Sequence, residues 1–375
     1  MPGITNSEMT DLLKAVTNHL PNLNFEYTFN LQEHEVCNRW FAKDKIEATG
    51  GDRFSRRIVL DDAGAAKHVR AYEASAINVP QLLSTLSADW VEAQTDWSVE
   101  HSEVQKNRSG TNAHGFSKKL VDLAKLRETA AMVSLAEELE AKAWEVPAAD
   151  TDNKTPLGLQ YWIPKLAAGQ AVTAAGFYGG RYDSTMGANT GGIPPATASD
   201  NTTAITGGKS RWRSYQAGYT SINDAWRKQM RKVFYAVRFK SPEFVSDLKS
   251  TPINNTRLYC NVNTLIDIEE YQTKNNDNVG ADVAKYSGNT SFKRIPFTYM
   301  PVLDTVSAGT AGQYNPIFFV NHNDFKVIVR EGDYLRRSEP MNDRAQHKVY
   351  TTFVDLAYCF ICLNRRHQGC INQIA

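Results

Sequence analysis

The side chains with the most chemical potential lie near the end of the chain, where Cys359, Cys362, His367 and Cys370 are spaced C-x2-C-x4-H-x2-C. Thiolate and imidazole are the usual zinc ligands, and this spacing departs from a zinc knuckle only in its last interval, two residues instead of four. In an extended segment, however, Cys359 and Cys362 point to opposite faces, and Tyr358, Phe360, Ile361 and Leu363 around them read as core. The pattern therefore predicts buried thiols that act as small hydrophobes, with no metal centre. Gly207-Gly208-Lys209-Ser210 has the ending of a phosphate-binding loop, but Thr203 stands where its first glycine belongs and no apolar strand precedes it. His19, His34, His68, His101, His114, His322, His347 and His367 are dispersed, and no Ser or Cys nucleophile has a recognisable setting. Asp61-Asp62 falls in a turn and Glu269-Glu270 is an adjacent pair, both readily solvated, so no general acid and base can be named. The expectation is a protein that is not an enzyme and needs no cofactor.

The elements that would position such residues are more telling. Gly115 to Trp144 runs thirty residues without proline, which predicts one helix of roughly 45 Å. Average helices are about a third of that, so the segment reads as the backbone of an elongated subunit. Phe116, Leu120, Leu123, Ala130, Leu135 and Leu139 form its apolar stripes, and Lys118, Lys119, Lys125, Arg127, Glu137, Glu138 and Glu140 its wet face. Basic residues crowd its first half and acidic residues its second, against the helix dipole, which predicts compensating charges on its neighbours.

Val349 to Leu363 is a β-branched and aromatic run of fifteen residues, roughly 50 Å if extended. A helix and a strand of such matched length, far apart in sequence, are expected to pack side by side. Trp90 to Glu100 alternates as a half-buried strand. Arg53–Leu60 and Lys67–Ala74 flank the turn-rich Asp61–Ala66, predicting a hairpin with too few apolar residues to bury a face unaided.

Residues 5–20 predict a capped amphipathic helix. Residues 167–220 are rich in Gly, Ala, Thr and Ser, a stretch so long that it is expected to be either functional or held by a neighbour. Ser221 and Asp224 are expected to cap a helix burying Ala225, Trp226, Met230, Val233, Phe234 and Val237, with Arg227, Lys228, Arg231, Lys232 and Arg238 outward. That basic face reads as a contact with another protein surface in preference to a surface for nucleic acid. Leu258–Ile268, Ile295–Leu303 and Ile317–Val329 read as strands.

Composition sets outer bounds. The 375 residues carry 42 Lys plus Arg against 41 Asp plus Glu, so nothing global advertises a nucleic acid or a membrane. Five scattered cysteines fit a reducing compartment. The start shows no signal peptide, and no run approaches a membrane span, so the chain is expected to be cytosolic when made.

The order arm, hairpin, strand, long helix, inserted domain and long terminal strands is similar to that of tailed-bacteriophage major capsid proteins with the Hong Kong 97-type fold. KLVDLAKLRETAAMVSLAEELEAKAWEVP followed by KTPLGLQYWIPK resembles the spine helix and next turn of one such group, and RWRSYQAGYTSINDAWRKQMRKVFYAVRFKSP resembles its later helix. The likeness extends from about Arg53 to the C-terminus. It implies an α+β capsid fold with an N-terminal arm at 1–47 and an extended β-hairpin loop at 48–77. A peripheral domain at 78–165 and 316–375, with its spine helix at about 115–145, and an axial domain at 166–315 would complete it. The implied function is self-assembly, through pentamers and hexamers, into the icosahedral head enclosing the double-stranded DNA of a tailed phage. Arg53, Arg56, Arg57, Lys67 and Arg70 of the hairpin, with Leu12, Leu13, Val16 and Trp40 of the arm, are the implied intersubunit contacts.

The resemblance further implies a virion protein assembled in the bacterial cytoplasm, packaged DNA held by non-specific contact, and portal and decoration proteins as partners. Because the amphipathic arm begins so near Met1, a separate scaffolding protein is expected. Lys67 is the one lysine placed for a Lys–Asn crosslink and has no matching partner, so no crosslinking is expected. An encapsulin-like cellular nanocompartment shell and a zinc-dependent nucleic-acid-binding protein are the alternatives.

Overall fold

The structure is a computed structural model, and it describes residues 34–59, 68–70, 83–101, 113–147, 152–166, 171, 175–178, 213–238, 255–274, 290–306, 314–342 and 348–374. A single π-helical turn (Val36–Phe41) leads to β1 (Lys45–Ala48), β2 (Arg53–Val59), β3 (Leu83–Asp89) and β4 (Val91–Glu100), then to the long helix α1 (Ala113–Trp144) and the one-turn α2 (Leu159–Trp162). The middle of the chain forms β5 (Ala175–Tyr178), β6 (Ser214–Tyr219), α3 (Asp224–Val237), β7 (Thr256–Cys260), α4 (Val262–Lys274), β8 (Ser291–Phe292), β9 (Ile295–Tyr299) and the short α5 (Val302–Val306). The last third forms β10 (Tyr314–Asn321), β11 (Phe325–Arg330), β12 (Arg336–Arg337), β13 (Met341–Asn342), β14 (Val349–Cys362) and β15 (Gly369–Gln373).

Two sheets organise these elements. In the first, β14 is the central rail. One edge pairs antiparallel with β4 over ten positions, from Val349 opposite Glu100 to Tyr358 opposite Val91. Its other edge is covered in succession by β11, β12 and β13, with β1 added in parallel outside β11. The β-branched and aromatic run of β14 suits a strand paired on both sides. On β4, Val91, Trp97 and Val99 are buried and Glu92, Asp96 and Glu100 are exposed, the alternation expected of a strand with one wet face.

Helix α1 spans 32 residues, roughly 48 Å at the α-helical rise. It lies along β4, where the Thr95 hydroxyl donates to the Ala131 carbonyl at 3.2 Å and Arg127 Nη1 donates to the Ser98 carbonyl. Leu135, Leu139, Ala143 and Trp144 enter the same core as Leu356, Tyr358 and Phe360 of β14. The long helix and the long strand thus share one core. Glu128 on the helix meets Arg337 of β12 at 2.6 Å, a compensating charge on a neighbouring element, while Lys142 meets Glu145 at 2.6 Å at the helix's own end.

The second sheet runs β5-β6-β15-β10-β7-β9-β8. Helix α3 packs Trp226, Met230, Val233, Phe234 and Val237 against Tyr215, Ala217, Leu258, Phe319 and Ile371 of this sheet. Its N-cap is Asn223, whose side chain accepts from the amides of Ala225 and Trp226. Ser221 and Asp224 are therefore not the cap, and Ala225 is exposed. Asn reaches the second and third amides of the turn from the residue immediately before the helix, the geometry a cap requires.

Sheet membership crosses the expected boundary between residues 315 and 316, because β10 and β15 belong to the second sheet while β11 and β14 belong to the first. The chain therefore passes between sheets at residues 322–324 and 363–368, and the two passages are fastened together. Gln368 exchanges two hydrogen bonds with the backbone of Asn321, His367 Nδ1 lies 2.6 Å from Asp324, and the Leu363 amide donates to the Asp324 carbonyl. Arg365 is buried and gives its Nε to the Trp162 carbonyl at 2.7 Å, tying α2 to the same knot.

Three strand expectations change in extent. Leu258–Ile268 divides into β7 and α4, Ile295–Leu303 into β9 and α5, and Ile317–Val329 into β10 and β11. Asn261 explains the first division, since its Oδ1 accepts the Thr264 amide and starts a helix directly after the strand. Among the described residues no helix is long and apolar enough to cross a membrane.

Candidate functional site

The arm's base and the two-stranded ribbon are the parts that the sequence nominates for contact with other subunits. The ribbon is β2 paired with β3, from Arg53 opposite Asp89 to Val59 opposite Leu83. This corrects the expected pairing of residues 53–60 with 67–74: β2 finds its partner on the far side of residues 60–82. Leu86 and Ala88 are buried, and Phe54 and Ile58 rest half-buried on the main core, so the ribbon has one covered face. Arg56 and Arg57 are exposed, as is Arg70 outside the ribbon, and Arg53 makes an ion pair with Asp89 of its own ribbon at 2.7 Å. An intrachain pair occupies Arg53, because directly opposite residues of an antiparallel pair are each other's nearest neighbours. Val59 is 68 % exposed where the ribbon leads away from the core.

Lys67 and the arm residues Leu12, Leu13 and Val16 lie outside the described residues, as do the helix expected at 5–20, Asp61-Asp62 and the Gly207–Ser210 stretch.

Trp40 is a correction. It is 0 % exposed inside this chain's own core, between Trp144, Tyr259, His322, Phe325 and Phe360, with ring centroids 5.1–6.0 Å away. A side chain so enclosed anchors this segment to its own chain's core. Its indole Nε1 donates to the Tyr259 hydroxyl at 3.1 Å, which also lies 2.7 Å from His322 Nε2 and 3.3 Å from Glu35 Oε1. His322 Nδ1 faces Asp44 at 3.7 Å, and Arg39 and Lys326 approach the same carboxylate at 3.6 and 3.5 Å. One π-helical turn thus reaches both sheets: Tyr259 belongs to β7, Lys326 to β11, and His322 to the passage between them. Burial, helped by Arg39 and Lys326, drives the His322 pKa well down, so the ring is held neutral.

The arm's base is also fixed to α1. Glu140 accepts the Val36 amide at 3.0 Å, and the Cys37 thiol points at the Ala136 carbonyl. Sequence periodicity put Glu140 on the wet face, but it is 3 % exposed. Burial pushes its pKa up to about 7, the Val36 amide opposing and Glu35 adding to the rise. The signal that would have found it is its position four residues from both Ala136 and Trp144, on the face that receives the arm.

The cysteine cluster is interior. Cys359, Cys362 and Cys370 are at most 2 % exposed, and burial pushes the Cys359 and Cys370 thiols up to about 12. His367 is engaged with Asp324. Among the described residues no group of three or more His, Cys, Asp or Glu converges as metal ligands would. Glu269 and Glu270 lie exposed on α4.

No protein-family profile matches this chain, and no curated protein does. Solved structures do. The capsid of the native GTA particle aligns over 95 % of this chain and 95 % of its own, with a TM-score of 0.55 at 10 % identity. The Cyanophage A-1(L) capsid aligns over 94 % and 96 %, with a TM-score of 0.55 at 12 % identity. Gordonia phage Cozz aligns over 100 % and 97 %, with a TM-score of 0.51 at 8 % identity. At such identities the likeness is one of fold: the chain has the Hong Kong 97-type fold that it shares with phage and GTA capsid proteins.

Proposed function

We propose that this chain is the major capsid protein of a tailed phage, copies of which assemble as pentamers and hexamers into the icosahedral head around double-stranded DNA. The observation that carries this reading is the extent of the fold: the alignments with the GTA and cyanophage capsids cover at least 94 % of both partners. The ribbon supports it as well. Two strands covered on one face only are marginal alone and gain from a second surface, and the exposed Arg57 on the outer face, with Arg56 exposed beside the covered one, suits an acidic seam on another copy.

In this reading the first sheet with α1 is the peripheral domain, the second sheet with α3 and α4 is the axial domain, and β2–β3 is the base of the extended loop. Function is then association energetics. Contacts between different surfaces of successive copies close into rings, and many modest interfaces summed over a closed shell give a durable particle. A separate scaffolding protein, a portal, decoration proteins and DNA held without sequence preference are the partners, and the assembled protein resides in the virion.

Expression of the full chain alone and with its genomic neighbours, followed by light scattering and negative-stain microscopy, tests the reading. Closed shells or rings of five and six, beside terminase and portal genes, are expected. A folded protein that stays monomeric in every combination overturns it. Shells filled with one cellular enzyme would replace the phage head by a nanocompartment.

A further inference from the structure

Helices α3 and α4 cover the second sheet and carry opposite charge on their exposed sides. On α3, Tyr235 is 67 % exposed, and Arg231, Lys232 and Arg238 around it are exposed as well. The β8–β9 hairpin extends this patch. Phe292 pairs with Ile295, so Lys293 and Arg294 alone form the turn, with φ of 47° and 69°. Both positions of such a turn favour Asn and Gly, and two long cationic side chains there hold the backbone in a strained region. The strained turn sets Lys293 Nζ 3.8 Å from the Tyr235 ring centre and 4.5 Å from that of Phe234, and leaves Arg294 exposed. Lys293 foremost, then Arg231 and Arg238, hold the Tyr235 phenol below its ordinary pKa, a sign of the positive field there.

On α4 the pattern is the inverse. Ile266 is 49 % exposed, and Asp267, Glu269 and Glu270 beside it are exposed. One domain therefore carries two patches, each with a large apolar side chain at its centre, one framed by cations and the other by carboxylates. Two different complementary patches on one chain are what a head-to-tail contact between copies requires.

We propose that the Tyr235 patch of α3 and the β8–β9 turn docks on the Ile266 patch of α4 in the next copy, and that this contact closes the ring. The inference rests on the shell-forming reading above and names the surfaces that carry it. Opposite charge selects the partner surface and the register, and suppresses contact between like faces.

Charge reversal tests it in the full chain. Ring formation by the unaltered protein is the control. If that protein forms no rings, the shell-forming reading and this inference fall together. With rings established, R231E/K232E/R294E and, separately, D267K/E269K/E270K are each expected to give folded monomers with unchanged circular dichroism. All six substitutions in one chain are expected to restore rings. Mixing the two triple variants one to one has a sharper consequence: each compatible contact alternates the two chains, so rings with an even number of subunits form and pentamers do not. Rings formed by either triple variant alone overturn the inference while the shell-forming reading stands. So does the absence of rings from both the six-fold variant and the mixture. Loss of bound nucleic acid from intact rings of the α3 variant would reassign the basic patch to a polynucleotide and overturn it equally.

Discussion

Glu140 shows how much one buried carboxylate can govern. Its pKa is pushed up from about 4.5 to about 7 by burial, so between those values the folded state holds a proton that the unfolded chain has released. Stability therefore falls as pH rises through that window, and above it the penalty is on the order of 3 kcal/mol. Glu140→Gln keeps an acceptor for the Val36 amide without the charge. It is expected to raise the melting temperature at pH 8 and to flatten its dependence on pH between about 5 and 8; a pH series of thermal melts checks this. Lys165 is the cationic counterpart, 2 % exposed with no hydrogen-bond partner for its Nζ among the described residues. Burial lowers its pKa, the nearby Cys370 opposing. The folded state then holds fewer protons than the unfolded one below the ordinary lysine pKa, so this group costs stability as pH falls from that value through its lowered folded one. Lys165→Met is expected to stabilise the chain by about 1–3 kcal/mol at neutral pH, read from urea unfolding.

At the scale of elements, the arm's base behaves as a rivet. Trp40 joins α1, β7, β11 and β14 in one aromatic cluster, so Trp40→Ala is expected to cost about 3–5 kcal/mol and to loosen both sheets together, visible as lost near-UV circular dichroism. Gly158 sets the approach of α2 to the end of α1. A Cβ there would stand 2.2 Å from the Glu145 carbonyl oxygen and 2.7 Å from that of Ala143, both backbone atoms. Gly158→Ala is expected to destabilise by about 1–3 kcal/mol in the same unfolding assay. The ribbon is the opposite kind of element, with its basic side chains in solvent. Arg56→Glu with Arg57→Glu is expected to leave the melting temperature within about 1 °C and to abolish shells; intact particles from that variant would count against the ribbon as a clasp.

For the whole molecule, two sheets are joined by strands that change allegiance: β10 and β15 lie in one, while β11 and β14, their immediate neighbours in sequence, lie in the other. The passages are buttoned by Gln368, Asn321, Asp324 and His367, so a polar knot couples the sheets beside the aromatic rivet of Trp40. Assembly built on exposed charge has a salt signature that folding does not share. Raising NaCl from about 0.1 to 1 M shortens the screening length from about 10 to 3 Å. Rings are expected to dissociate over this range while circular dichroism stays constant, with analytical ultracentrifugation as the readout.

The long helix, the long terminal strand and the buried face of α3 were legible in the amino-acid sequence, because periodicity and length are local properties that survive without knowing any partner, while the fold was implied by the resemblance alone. The interior setting of Cys359 and Cys362 was legible for the same reason, since alternation along a strand separates their side chains. The partner of β2, the sheet membership of β10 and β15, and the burial of Trp40, Glu140 and His322 were decided only by the tertiary structure. Each depends on a surface supplied from far along the chain: β3 across residues 60–82, the polar knot at Asn321 and Gln368, and the π-helical turn that covers one side of α1. A helix shows which of its faces is apolar. It does not show that an arm one hundred residues earlier will cover part of the other face and hold a carboxylate out of water.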